Sequence, residues 1–268
     1  MAGSAKTKNF LLSTATVMVG PAADLHKLNR DEHSLGLVKN FNMTADPTYV
    51  ELTQGLKNSV VMSVKNGDGL KCAMEIYEYT VRNLGYAAGL DASGVAFDQS
   101  NEIWLATAAY ASAGKTIEVG TDITGEGKLA AGDYVFLQNG LDDKVHIAKV
   151  ATAVFATAKT TITFAAGYEP ATTMTFPIGT RIGKVKRIDV GAVDVQPEFA
   201  AKIVGLLPKD NAPFTILLPK IKITKGLGVA FQTDNFGNLP FEFTPYSGVE
   251  TDPLYAEYGT AAAILFAR

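Results

Sequence analysis

Apolar and polar positions alternate with a period of two along much of this chain. Lys220-Ile-Lys-Ile-Thr224 is the cleanest case, with lysines on one side and isoleucines on the other, as a half-buried strand requires. Residues 49–53 and 60–65 have the same character and bracket Gln54-Gly-Leu-Lys-Asn58, which predicts a hairpin. Residues 199–207 and 214–218 flank a Pro-bounded loop at 208–213 and predict another. Segments 229–233 and 239–243 around Asp234-Asn-Phe-Gly-Asn238 predict a third. Residues 10–19 read as a first strand and 261–266 as a last one. Between 115 and 188, short β-branched runs at 134–138, 145–150, 160–164 and 180–188 are punctuated by Asn139-Gly140, Ala166-Gly167 and Pro177-Ile-Gly179. That spacing suits a small barrel or sandwich.

One stretch reads with a different period. Leu70, Ala73, Met74, Tyr77, Val81, Leu84 and Ala88 fall three and four apart, which predicts an amphipathic helix over about 69–88. Asp68 is placed to cap its start and Gly89 to end it. The predicted fold is mainly β: a β-sandwich or barrel domain over 1–114 and 189–268 with one flanking helix, and a small β domain inserted at 115–188. Residues 21–47 read as a turn-rich, charged connection.

Composition narrows the function classes. The 268 residues are 47% hydrophobic and only 19% charged, with a net charge of −3. So little charge leaves apolar surface available for partners. A mildly acidic chain lacks the clustered basic surface of a general nucleic-acid binder. The single cysteine, Cys72, can form no internal disulfide and reads as a small buried side chain. Lys6 and Lys8 precede the apolar run from Phe10, a pattern shared with short signal peptides. Ser13, Thr14 and Thr16 interrupt it, so a polar arm leading into a strand is the preferred reading. No apolar run reaches the roughly 18 residues of a membrane span.

Candidate chemistry is sparse. His26, His33 and His146 lack the close pairing of metal ligands, and no catalytic or nucleotide-binding signature is complete. Ala109-Tyr-Ala-Ser-Ala-Gly-Lys-Thr116 has phosphate-loop spacing with alanine for the first glycine. A strand-like alternation follows it where a helix should start. Asp31-Glu32 and Asp142-Asp143 read as solvated loop carboxylates. Arg181, Lys184, Lys186 and Arg187 form a basic cluster that reads as a solvated strand face. No catalytic residue, cofactor or metal is expected.

Two groups of segments carry a resemblance. The first is Leu52-Thr-Gln-Gly-Leu-Lys-Asn58, Val60-Val-Met-Ser-Val64 and Thr80-Val-Arg-Asn-Leu-Gly-Tyr-Ala-Ala-Gly-Leu90. The second is Phe199-Ala-Ala-Lys-Ile-Val-Gly-Leu-Leu-Pro208, Leu218-Pro-Lys-Ile-Lys-Ile-Thr-Lys-Gly-Leu227 and Phe231-Gln-Thr-Asp-Asn-Phe-Gly-Asn-Leu-Pro-Phe241. Together they resemble the tail tube proteins of tailed bacteriophages over about 9–90 and 195–268. The resemblance implies a virion structural subunit, made in the host cytoplasm. It implies hexameric rings that stack with copies of themselves into a hollow conduit through which DNA passes without sequence recognition. Implied partners are a tape-measure protein, tail-tip and terminator proteins and, where the tail contracts, a sheath; membrane insertion is not expected. Within that frame Glu51, Thr53, Lys57 and Ser59 on the 48–65 hairpin are candidates to face the lumen. Lys6, Lys8, Phe10 and Asp68 are candidates for ring-to-ring contacts. The alternatives are a decoration or adhesin-like β protein that binds a capsid or a cell-surface glycan, and an enzyme with a nucleotide site at 109–116.

Overall fold

The computed structural model describes residues 15–54, 58–92, 102–125, 127–140, 145–191, 196–207, 211–229, 236–252 and 254–266. In chain order the elements begin with β1 (Thr16–Pro21), a 3-10 turn (Ala22–Lys27) and α1 (Arg30–His33). Next come β2 (Val38–Ala45), β3 (Thr48–Gln54), β4 (Ser59–Gly67), β5 (Leu70–Ile76) and α2 (Val81–Ala87). Then follow β6 (Ile103–Leu105), β7 (Thr116–Val119), β8 (Tyr134–Gln138), β9 (Val145–Ala156), β10 (Lys159–Phe164) and β11 (Arg181–Val185). The last are β12 (Phe199–Leu206), β13 (Pro213–Lys225), β14 (Leu239–Pro245) and β15 (Ala263–Phe266). The protein is mainly β, its sheets are antiparallel and sandwich-like, and no barrel closes among the described residues.

The chain divides into two compact units, one of Met1–Phe97 with Ile188–Arg268 and the other Asp98–Arg187. The second unit therefore begins before residue 115, where composition put the boundary. The cause is β6, which pairs with β11 through Ile103↔Gly183 and Leu105↔Arg181 and so belongs to that unit.

In the first unit one sheet runs β1-β12-β13-β14-β5-β2, with β15 also on β13. Strand β13 serves two layers. Its first half pairs with β12 and β15, its second with β14. The change comes at Pro219, where the β12 register slips between Ala201↔Leu218 and Phe199↔Ile221. Proline has no N–H for a ladder, and a bulge lets a strand turn from one layer to the other. Both halves enclose one core that includes Val17, Ile76, Phe199, Leu218, Phe241 and Phe243. A smaller cluster of Met18, Leu25, Leu28, Ala200 and Leu217 lies beneath the 3-10 turn.

Helix α2 is shorter than the 3.6-residue spacing predicts, and the expected helix over 69–88 is corrected here. Leu70–Ile76 is a strand with Cys72, Met74 and Ile76 buried on alternate positions. It lies between β14 and β2, with Ile76 opposite both Leu239 and Val38. Asp68 therefore caps no helix. The cap is Thr80, whose hydroxyl accepts from Asn83 N–H at 3.1 Å. Gly89 does end the helix, in the left-handed conformation at φ +76°, with its N–H on the Tyr86 carbonyl. The helix pins the preceding segment by buried polar contacts. Arg82 donates to the Glu32 and Ser34 carbonyls, and Asn83 donates to those of Leu35 and Glu78 at 2.9 Å. Tyr86 donates to the Val19 carbonyl and sets its ring edge-on to Phe199; burial pushes its hydroxyl up to about 12.

The second unit is a curled six-stranded sheet, β6-β11-β8-β9-β10-β7, around Ile117, Val135, Leu137, Val150, Ile162 and Ile182. Its ends meet through one bridge, Ala106 to Val119, short of a closed ladder. The two-residue turn joining β9 to β10 places Thr157 at φ 53° and Ala158 at φ 59°. Such a turn suits Asn-Gly, and a β-branched residue there is strained.

Replacing Thr157→Asn with Ala158→Gly should therefore raise stability by about 1–2 kcal/mol. Thermal melts check this, and a lower midpoint would refute the strain. A second test concerns Asp252, which accepts from Val249 N–H at 2.8 Å and pairs with Lys220 at 3.2 Å; Lys220 also meets Glu198 at 3.0 Å. The Val249 N–H, then Lys220, hold the Asp252 carboxyl below its usual range, against some opposing burial. A depressed carboxylate contributes stability that is present above its unfolded pKa and lost as pH falls through the folded value. Denaturant midpoints against pH should therefore fall less steeply on the acid side in Asp252→Asn than in wild type.

Candidate assembly interface

Strands β2 and β3 follow each other directly, as do β4 and β5, and the two pairs form one long antiparallel ribbon. Its inner half is β2 on β5, and its outer half is β3 on β4, a separate two-stranded sheet. The change occurs at Asp46-Pro47 on one side and Asp68-Gly69 on the other. Asp46 N–H still reaches the Gly69 carbonyl at 3.3 Å, whereas Pro47 has no N–H to continue. Gly69 stands at φ +55°, and a Cβ there would collide with the Asp46 carbonyl. Only glycine fits this crossing.

The outer half is an arm. Every residue of β3 is exposed, as is every residue of β4 but the last. Opposed residues share a face, so the register assigns the faces. Val50 faces Val64 and Leu52 faces Met62, forming an apolar side. Tyr49 faces Lys65 and Glu51 faces Ser63, forming a mixed polar side. Beyond Leu52 the register slips and Val61 becomes an extra residue, which increases local twist. The four apolar side chains are between 51% and 62% exposed. An isolated two-stranded hairpin is marginal in water, and covering these side chains would stabilise it by roughly 1–2 kcal/mol each.

The expected lumen residues fall on this arm but not on one side of it. Glu51 and Thr53 are neighbours on the polar side, whereas Ser59 opposes Gln54 and lies on the side of Leu52. Lys57 lies outside the described residues, as do Lys6, Lys8 and Phe10. Asp68 is exposed at the base of the arm and is ion-paired with Lys65. Two features of the first unit escaped sequence reasoning. One is β2, within the stretch read as a turn-rich connection. The other is the exposure of β15, which leaves Ile264, Leu265 and Phe266 about half exposed. The apolar run at 261–266 predicts the strand but not its exposure.

The other candidates resolve structurally. Ala111 and Thr116 bridge across a tight turn, Lys115 is ion-paired with Glu169, and Thr116 opens strand β7, where a phosphate loop would need a helix. Cys72 is buried in the core, and burial pushes its thiol up to about 12, which leaves too little thiolate for reactivity. His26 lies 3.3 Å from Glu257, and His146 Nε2 lies 2.8 Å from the Tyr168 carbonyl. Among the described residues no group of three His, Cys, Asp or Glu side chains is placed to hold a metal ion. No helix among them is long and apolar enough to cross a membrane. Lys184 is paired with Asp133, and Arg187 donates to the Tyr134 hydroxyl at 3.4 Å, so the basic cluster is divided between partners. No protein-family model matches the chain, and no curated protein matches it in sequence.

The arm's exposure predicts its dynamics. In the dissociated chain, amides of β3 and β4 should exchange with deuterium far faster than those of β12 and β13, whose ladders cover the core. Equal protection in dilute monomer would show that the arm is already covered.

Proposed function

We propose that this chain is a structural subunit that assembles with copies of itself, and specifically a subunit of a bacteriophage tail tube. The observation that carries the reading is the β3–β4 arm. It projects from a rigid ribbon, leaves both backbone edges open and exposes an apolar side. Edge strands of this kind are pairing templates, and a protein that keeps one uses it for strand addition or covers it on assembly. The antiparallel sandwich and the tail-tube-like segments at 52–64, 80–90 and 199–241 support the same reading.

A head-to-tail contact that closes on itself gives a ring, and stacked rings extend without limit. In the proposed assembly the chain forms hexameric rings that stack into a hollow conduit for DNA in a virion tail. The mildly acidic chain suits a lumen that lets an anionic polymer pass without holding it. The arm provides contacts between subunits. Its mixed polar side, with Glu51 and Thr53, is the side suited to water or the lumen. Its Val50–Leu52–Met62–Val64 side is suited to a neighbour.

Negative-stain microscopy of the purified chain, with and without a tail-tip nucleator, tests this. Wild type should give rings or tubes. The double variant Leu52→Lys with Met62→Lys should lose them while its thermal midpoint stays near wild type, because exposed positions away from the core contribute within about 0.5 kcal/mol. A wild-type chain that stays monomeric at high concentration even with the nucleator would refute self-assembly. Tubes unchanged in the variant would refute the role of the arm.

A further inference from the structure

The second unit presents a sheet face that the assembly reading leaves unused. Across β6, β11, β8 and β9 the registers align three rows of side chains on the side away from the Ile182–Leu137 core. The first row is Leu105, Arg181, Gln138 and Val145; the second is Ile103, Gly183, Phe136 and Ile147; the third is Val185, Tyr134 and Lys149. Ile103, Leu105, Val145 and Ile147 are each between 41% and 59% exposed. A Cβ on Gly183 would collide with the Phe136 ring, so this glycine lets the ring lie across β11 and level the middle row.

The charged side chains within the three rows, Arg181 and Lys149, have one sign. Arg181 is held to Gln138 at 3.3 Å, Lys149 sits 5.9 Å from the Tyr134 ring centre, and Arg187 donates to the Tyr134 hydroxyl. Tyr168 closes the same corner edge-on to Tyr134 at 6.1 Å. No aspartate or glutamate stands in the three rows. An apolar centre with aromatic residues and arginine around it, depleted of carboxylates, has the composition of a protein-recognition surface.

We propose that this face docks an acidic polypeptide segment. Its apolar side chains cover Ile103, Phe136 and Ile147, and its carboxylates meet Arg181 and Lys149. Charge complementarity selects the occupant. Rows that hold Arg181 and Lys149 and no carboxylate disfavour a basic partner and favour an acidic one. Single-stranded nucleic acid fits less well. Its affinity comes from many phosphate contacts and from bases stacked on successive aromatic rings, whereas the middle row here is aliphatic apart from Phe136. This inference does not depend on tube assembly, and tube formation is a separate readout from it.

The test uses the full chain and a soluble random copolymer of glutamate and tyrosine, with polyglutamate and a single-stranded oligothymidylate as comparators, by fluorescence anisotropy at physiological salt. The glutamate–tyrosine copolymer should bind saturably and more tightly than either comparator. Ile147→Asp and Arg181→Glu should each weaken it at least tenfold with unchanged thermal midpoints. Lys186→Glu, a basic site outside the rows, should change it by less than twofold. Absence of binding, or tighter binding of the oligothymidylate, would overturn the proposal. So would equal binding by Ile147→Asp, or a concentration-dependent self-association that Ile147→Asp abolishes, which would make the occupant a second copy.

Discussion

Strand β5 holds two ladders at once, and the rest of the first unit depends on that. Its one edge carries β14 and its other carries β2, while Cys72, Met74 and Ile76 point into the core. Over Cys72–Ile76 the strand is laddered on both edges, and every second side chain is buried, so β5 is fixed from three directions. The exposed arm is the continuation of this strand and its neighbour past Asp46-Pro47 and Asp68-Gly69. Its base inherits the rigidity of the core, and its outer half inherits none of the burial. A hairpin that is marginal on its own is thereby held out in a set direction, with its unsatisfied surface positioned for the contact proposed above.

Much of the scaffold was legible in the alternation of the chain. Strands β12, β13 and β14 follow it closely, because a sandwich strand with one buried face writes that face into every second residue. Strand β5 was misread because two periods coincide. Leu70, Ala73, Met74 and Tyr77 share the helical spacing, while Leu70, Cys72, Met74 and Ile76 share the strand spacing. A short apolar run does not choose between them; the flanking strands do. Strand β2 was missed for a different reason. Val38-Lys-Asn-Phe-Asn-Met-Thr-Ala45 is rich in asparagine, and its ladder slips between Lys39 and Asn42, where Asn40 takes φ 55°. A bulge breaks the alternation that would have revealed it.

The exposure of the arm was not legible at all. Val50, Leu52, Met62 and Val64 have the pattern of a strand face packed on a core, and nothing local distinguishes a face that has found its layer from one that has not. The same holds for the outer face of the second unit, where Ile103 and Leu105 lie on a strand of three residues, too short to register as a period. Both candidate interfaces were hidden by one fact: periodicity reports which residues share a face and is silent on what covers it. The basic cluster was visible in sequence, but its division between Lys184 on Asp133 and Arg187 on Tyr134 needed the fold.

These two surfaces differ in the kind of contact they favour. The arm offers open backbone edges as well as side chains, and an edge accepts any strand that reaches it. Its danger is indiscriminate pairing, and several features oppose that. The extra residue at Val61 twists the edge, Lys65 and Asp68 put paired charges at the base, and the apolar side is only four side chains wide. In the proposed assembly, contact with a single arm is too weak to hold, and several arms engage together, as in a ring. In the face of the second unit, β11, β8 and β9 are paired on both edges and only the short β6 leaves an edge, so recognition there runs mainly through side chains and its selectivity rests on charge and shape. In the proposed scheme, repetitive self-contact stays on one unit and the other is free to be specific, since a substitution that retunes the face touches no ladder on which the arm depends.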